Sequence, residues 1–269
     1  MSRQPEIRLT GLEKAFGDHR VLQGVDLTVY AGDVLAIVGG SGCGKTVLLN
    51  HVLDQLSPDA GRIELADHDA DGAPLIDLAE MDQQARDRLH QHWGMVFQRN
   101  ALFSGSVFDN IALWLREIRE LDDTDIDPIA RRVLSAVALP NDDAFLESQA
   151  EALSGGMAKR LAVARALAMN PIVVFYDEPT TGLDPVSATQ IQDLIANTHL
   201  EPRAGEPTRT TVIITHDKDL LRRLEPRVVM LYEGRVFFDG SFDEFANSDS
   251  PIIRPYFDQM PALHMPVTG

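Results

Sequence analysis

Residues 34–50, VLAIVGGSGCGKTVLLN, join a continuous apolar run to a glycine-rich loop and then to a second apolar run. The first run has buried-strand character, and from Thr46 the pattern TVLLNHVLDQL has helical spacing. Gly39, Gly44, Lys45 and Thr46 match G-x-x-x-x-G-K-S/T in the strand-to-helix context the motif requires. Glycines let successive backbone N–H groups converge on an anion, and the helix starting near Lys45 adds its positive end. Gly39, Ser41, Gly42, Cys43, Gly44, Lys45, Thr46 and Val47 are therefore the candidate phosphate cradle. Lys45 reaches the outer phosphates and the Thr46 hydroxyl is a candidate Mg²⁺ ligand. A strand–loop–helix of this kind commits the chain to an α/β fold with nucleotide phosphate at a strand end.

A second buried strand, in IVVFYDEPTTGLD (172–184), ends in adjacent carboxylates. Alternation along a strand is expected to send Asp177 and Glu178 different ways, so that each serves its own task. Asp177 is the candidate Mg²⁺ contact through coordinated water, and Glu178 the candidate base or orienter of an attacking water. A third element, LSGGMAKRLAVARALAMNP, puts Ser154 at a helix N-cap, with Gly155 and Gly156 exposing backbone N–H groups at a positive helix end. A nucleotide in the first anion site has no need of this second one within the same chain. A head-to-tail dimer removes the difficulty.

The surrounding sequence reads as short extended segments (EIRLTGL, LQGVDLTVY), the central strand and its helix, and a return strand GRIEL. A polar helix is expected over 78–92, before the strand WGMVFQ. Residues 107–170 read as mostly helical, with an acidic break ELDDTDIDP. Then come IVVFYD, a helix from about Ser187 to Asn197, a polar loop LEPRAGEPTR, the strand TVIITH and a last pair of strands near 227–239. Composition narrows the functions open to such a chain. With 24 Lys+Arg against 41 Asp+Glu the formal charge is −17, which repels phosphate backbones and anionic lipid heads. No nucleic-acid partner is expected. A single cysteine forms no internal disulfide, and the start MSRQPEIRLTG lacks the build of a secretory signal, so a cytoplasmic place is expected. The apolar, uncharged stretch 34–44 falls short of the roughly 20 residues that cross a bilayer, so a membrane role requires a separate partner chain.

In this order the elements resemble the nucleotide-binding subunit of an ABC transporter, over about residues 6–240. The resemblance implies a P-loop NTPase (RecA-like) α/β core, about 1–98 and 170–247, with an N-terminal antiparallel β subdomain and an inserted helical subdomain, about 99–169. It implies an ATPase that binds ATP and Mg²⁺ and closes as a homodimer, with the LSGG of one subunit on the ATP of the other. Phe16 in KAFGDHRVL would then stack on adenine, and Gln98 in MVFQ would reach Mg²⁺ and the attacking water. Asp184 in TGLD would lie at the dimer seam, and His216 in IITH would contact the γ-phosphate. Met157 stands where Gln is commoner after LSGG. With YDEP and FQRNALF...DNIAL it resembles the ATPases of Mla-type phospholipid transport in Gram-negative bacteria. There the ATPase sits on the cytoplasmic face of the inner membrane beneath a permease, with a STAS-domain protein and an MCE-domain substrate-binding protein as further partners. LFSGSVFDNI is closer to exporter wording, so an importer or exporter of another substrate stays open.

Two other classes compare less well. A soluble ABC-type ATPase acting on nucleic acid would carry basic patches or paired cassettes, and a binding module without turnover would lack the acid at Glu178. DHDADG (67–72) imitates the start of a calcium loop, but Leu78 occupies its twelfth position and it reads as a turn between strands. His90 and His92, two apart on a helix, do not face each other and are expected at the surface. The acidic run 120–127 is expected to be a solvated loop. The tail 248–269 carries Ile252, Ile253, Tyr256, Phe257, Met260 and Leu263, and is expected to cover a dimer or partner surface. Cys43, between a helix N-terminus and an ammonium, is expected to react readily in the empty loop and to be protected by nucleotide.

Overall fold

The pleated alternation of apolar and polar residues sets the first two strands, β1 (Pro5–Phe16) and β2 (His19–Tyr30), which pair antiparallel with Leu9 opposite Leu27. Their inward residues Ile7, Leu9, Leu12, Leu22, Val25, Leu27 and Val29 are buried. β3 (Val34–Val38) is apolar throughout and leads through the glycine loop into α1 (Lys45–Val52). β4 (Ala60–Ala66) pairs antiparallel with β1, and β5 (Leu75–Asp77) with β4, giving a sheet of order β2-β1-β4-β5. The segment between β4 and β5 is the expected turn, closed by Asp67 N–H donating to Pro74 O (2.9 Å). This computed structural model describes residues 3–200 and 208–262. By compactness these fall into two units, one up to His90 and from Thr208 onward, the other between.

The polar helix expected over 78–92 is in fact two pieces. A 3-10 turn, Leu78–Glu80, is capped by the Asp77 carboxylate, and α2 runs only over Gln83–His90, with Asp82 accepting from Ala85 N–H. Two capping carboxylates five residues apart and the extended Met81 between them break the helix. His92 thus lies beyond α2, and both histidines are half-buried rather than at the surface.

In the second unit β6 (Trp93–Val96) opens the chain, followed by α3 (Val107–Arg119), α4 (Asp123–Ala136), α5 (Asp143–Leu146) and α6 (Gly155–Ala168). β7 (Val173–Asp177) runs parallel to β6, and α7 spans Pro185–Leu200. The acidic run is a loop only over 120–122. Asp122 accepts from Thr124 and Asp125 N–H, and Asp123 and Asp125 fall in the first turn of α4, where a helix dipole favours anions. Residues 91–207 form one compact unit, in which α6 packs with the strands β6 and β7. Packing explains it: a Cβ on Gly94 of β6 would meet Ala166 O of α6 at 3.0 Å, and the Trp93 and Phe175 rings meet edge-on at 5.2 Å.

The first unit resumes with β8 (Thr210–Ile214), α8 (Lys218–Leu224), β9 (Arg227–Tyr232) and β10 (Arg235–Ser241). β3 lies parallel between β8 and β9, with Ile37 opposite Ile214 and Val38 opposite Met230, and β10 closes antiparallel on β9. α9 (Phe242–Ala246) and α10 (Ile253–Gln259) follow. The apolar groups of the tail bury against this same unit. Ile253, Phe257 and Met260 join Val38, Val228, Met230 and Phe245 in one core, with Phe257 edge-on to Phe245 at 5.7 Å. Each such side chain contributes about 1.5–3 kcal/mol on burial. Leu263 and the residues after it, like the polar loop 201–207, lie outside the described residues.

Candidate functional site

The glycine loop leaves β3 at Gly39, where the backbone takes φ +146° and has no room for a side chain. A Cβ there would stand 2.4 Å from Leu231 O and 2.6 Å from Cys43 Sγ. Gly44, at φ +105°, caps α1, and a Cβ on it would stand 2.9 Å from Leu22 and 3.1 Å from Val21 O, so the hairpin β1–β2 backs the loop. The Lys45 ammonium folds back on the loop, donating to Gly39 O (2.7 Å) and Gly40 O (3.1 Å), with Cys43 Sγ 3.9 Å away. Ser41, Gly42 and Thr46 are exposed, while Cys43 and Val47 are half-buried. A helix start with exposed N–H groups, a lysine held on backbone carbonyls and a free-standing hydroxyl make an anion receptor.

His216 follows β8, the parallel neighbour of β3, so it and the glycine loop leave the same edge of one sheet. It is exposed, and the residues beside it are fixed: Asp217 N–H donates to Thr215 Oγ1, and the Asp217 carboxylate caps α8. Phe16, half-exposed at the end of β1, has Lys14 Nζ 5.7 Å from its ring centre. Lys14 and Ala15 N–H both donate to Asp59, so the hairpin end carrying Phe16 is tied to the chain just after α1. Those bonds, led by Lys14, hold the Asp59 carboxyl below its ordinary pKa.

In the second unit β7 ends at Asp177, and Glu178 turns off the strand at φ +47°. A non-glycine residue takes such a left-handed step only under constraint, so Glu178 lies off the strand and strand alternation does not set its direction. Thr181 braces it: its N–H donates to Glu178 O (3.3 Å) and its hydroxyl to Glu178 Oε2 (3.2 Å). Ser154 is the N-cap of α6, accepting from Met157 N–H at 3.3 Å. Gly155 is exposed, as expected of an anion site. Gly156 is buried, and for a steric reason: a Cβ there would stand 2.6 Å from Ser187 Oγ. Ser187 and Val186 N–H in turn donate to Asp184, which starts α7, and the Ser187 bonds lower the Asp184 pKa. Asp184 and the Ser154–Gly156 turn are thus joined through Ser187.

Sequence reasoning missed Lys159. It lies on α6 with 1% of its surface exposed and donates to Phe97 O (2.9 Å) and Gln98 O (2.8 Å). Burial lowers its pKa to about 8, while the charge of Asp177 acts in the opposite direction. The exposed Gln98 side chain is therefore carried on a backbone pinned from α6. Arg165, two turns further on, holds Ala101 O (2.9 Å) and lies over Phe103. The sequence signal was Lys159 and Arg165, two of the three cations in a helix otherwise rich in alanine. Each unit carries hard oxygen donors of the kind Mg²⁺ takes: the Thr46 hydroxyl in the first, and the Asp177 carboxylate and Gln98 amide oxygen in the second.

The ABC transporter family profile matches residues 22–181. The chain belongs to this family, as an ATP-binding, ATP-hydrolysing subunit with the P-loop NTPase fold. It is 32% identical over 255 residues to "Protein TRIGALACTOSYLDIACYLGLYCEROL 3, chloroplastic" of Arabidopsis thaliana, covering 90% of this chain and 70% of that one. It is 32% identical to the "Probable ribonucleotide transport ATP-binding protein mkl" of Mycobacterium tuberculosis, covering 94% of this chain and 66% of the relative. To the L-cystine transport ATP-binding protein TcyN of Escherichia coli it is 34% identical, covering 94% and 97%. Among solved structures, cbiO1 of Clostridium perfringens, part of the transporter complex cbiONQ, superposes with TM-score 0.75 at 29% identity, covering 91% and 92%. The dimeric cassette MJ0796 bound to ADP and Pi superposes with TM-score 0.72 at 26% identity, covering 88% and 98%.

Proposed function

We propose that this chain works as a homodimer that energises phospholipid transport through a separate inner-membrane permease, from the cytoplasmic face. The observation that carries the dimer is the pair of helix-start anion sites on one chain, at Lys45 and at Ser154. It is supported by the likeness to a dimeric cassette bound to ADP and Pi. In this reading the loop 39–47 binds the phosphates, Phe16 stacks on adenine, and Ser154–Gly156 of the partner closes on the γ-phosphate. Glu178 orients and accepts a proton from the attacking water, His216 holds the γ-phosphate, and Gln98 reaches the attacking water and would reach Mg²⁺. Thr46, Asp177 and Gln98 would hold Mg²⁺, which would supply charge neutralisation for the phosphates. Asp184 fixes the seam through its hold on Ser187.

A docking face for the permease is supported by exposed apolar groups on the second unit. Trp114 and Ile118 are one turn apart on α3, and Phe103 meets Trp114 edge-on at 6.2 Å. Among the described residues no helix is long and apolar enough to cross a membrane. The lipid cargo is supported by the Met157 and FQRNALF wording and by the relative whose name carries a galactolipid. STAS-domain and MCE-domain partners belong to the same reading. A polar cargo is the second reading, favoured by the likeness to the cystine ATPase over nearly its whole length.

The test purifies the complex through this chain and reconstitutes it in vesicles with a fluorescent phospholipid. ATP-dependent phospholipid transfer is expected, and its loss in Glu178→Gln, which keeps ATP bound and lowers turnover by about 10²- to 10⁴-fold. ATPase activity stimulated by a polar solute, with no phospholipid moved, would overturn the cargo. Turnover of Glu178→Gln within threefold of wild type would overturn the role of Glu178.

A further inference from the structure

The α10 helix does more than cover a core. Its Tyr256 hydroxyl accepts a hydrogen bond from Gly39 N–H (2.9 Å) and donates one to Gly39 O (3.2 Å), gripping both ends of the first residue of the phosphate loop. Gly39 is buried, and its φ of +146° leaves its carbonyl where Lys45 Nζ also reaches it, at 2.7 Å. One acceptor thus has two donors while the ammonium rests on the loop. A carbonyl has two lone pairs, so both bonds can be made at once. When the ammonium moves to a nucleotide phosphate, its bond to Gly39 O is given up. A buried carbonyl left without a donor is costly.

We propose that Tyr256 is a positioning residue for nucleotide binding: its hydroxyl keeps the Gly39 peptide paired when Lys45 leaves that carbonyl for phosphate. The C-terminal helix is then a brace on the loop, and its packing sets how readily the loop yields its lysine. Ile253, Phe257 and Met260 anchor that helix in the core beside Val38, the residue before Gly39. The ring of Phe257 also carries Lys218 Nζ at 4.2 Å, and Pro261 O accepts from Lys218 N–H, so both ends of the brace are fixed. This inference rests on nucleotide binding at the loop, not on the cargo or the permease.

Tyr256→Phe removes the hydroxyl and keeps the ring, so α10 stays docked. ATP affinity, read by titration with a fluorescent nucleotide, is expected to weaken three- to tenfold. A second measurement is independent of nucleotide and separates bracing from bulk packing. Without ATP, either donor alone still satisfies Gly39 O, so Lys45→Ala disturbs unfolding mildly, whereas Tyr256→Phe also takes from Gly39 N–H its acceptor and lowers stability on its own. The double variant leaves the carbonyl with neither. Its unfolding equilibrium constant is expected to exceed the product of the two single effects by fivefold or more. Additive effects on unfolding, or an ATP affinity of Tyr256→Phe within 1.5-fold of wild type, would overturn the proposal. Weaker ATP binding with additive unfolding would assign Tyr256 to packing alone and overturn it equally.

Discussion

Replacing Lys159 by methionine separates stability from turnover, and the structure sets both sizes. The ammonium makes two charge-assisted bonds, to Phe97 O and Gln98 O, each contributing about 1.5–3 kcal/mol. Against this stands the cost of burying a cation, which the fall of its pKa from 10.5 to about 8 puts at about 3 kcal/mol. The two nearly offset, so Lys159→Met is expected to lose no more than about 3 kcal/mol in a urea titration at pH 7. Turnover has no such compensation. Without the ammonium the backbone carrying Gln98 is held by neither carbonyl, and a displacement of about 1 Å at a reacting group costs on the order of 100-fold. The phosphate loop lies in the other unit and keeps its own contacts. Phosphate release by the complex with its membrane partner is therefore expected to fall 10- to 100-fold in kcat, with ATP affinity changed less than threefold. A kcat within twofold of wild type, or an ATP affinity falling in step with kcat, would refute the role given to the Lys159 bonds.

In a mixture of Ser154→Arg and Lys45→Ala chains, a mixed dimer holds one site with neither defect. Hydrolysis is expected above that of either parent, and activity no higher than the parents would remove the shared site. Cys43 is the sole thiol, so an alkylation time course reads the loop directly. Mg-ATP is expected to slow labelling, and equal rates with and without it would show that Cys43 does not face the phosphate cradle. His68 Nε2 meets the buried Glu6 carboxylate at 2.6 Å, and that bond raises the histidine pKa. A raised folded pKa means stabilisation that is complete below the ordinary value of about 6.5 and fades as pH rises through the folded value. The stability gap between wild type and His68→Asn is expected to shrink between pH 6 and pH 9, and a constant gap would show that the pair does not act through the histidine charge.

The parts of the site legible in the sequence are those whose chemistry is local. The loop 39–46 declares itself because its glycines, lysine and hydroxyl must be adjacent to surround one phosphate group. Ser154 declares itself because a capping oxygen serves an N–H three residues on. The parts that were hidden depend on partners far along the chain. Gly156 is a glycine because of Ser187, and Gly39 is gripped from 217 residues away. Spacing rules see neighbours three and four apart, and so the core that Ile253, Phe257 and Met260 join is not legible in the tail itself.

Lys159 shows how much more the sequence could have yielded. From Leu161 to Ala168 α6 is buried on every side and apolar but for Arg165, which marks an interior helix. A lysine two residues before that stretch, and itself buried, cannot reach water cheaply, so it must find buried acceptors. Regular strands and helices spend their carbonyls on their own ladders, which leaves those of irregular segments in need of donors. The irregular segment that follows β6 begins at Phe97, where Lys159 binds. A cation in an otherwise apolar helix is thus a sequence-level pointer to a loop held in place, and in this chain that loop carries Gln98.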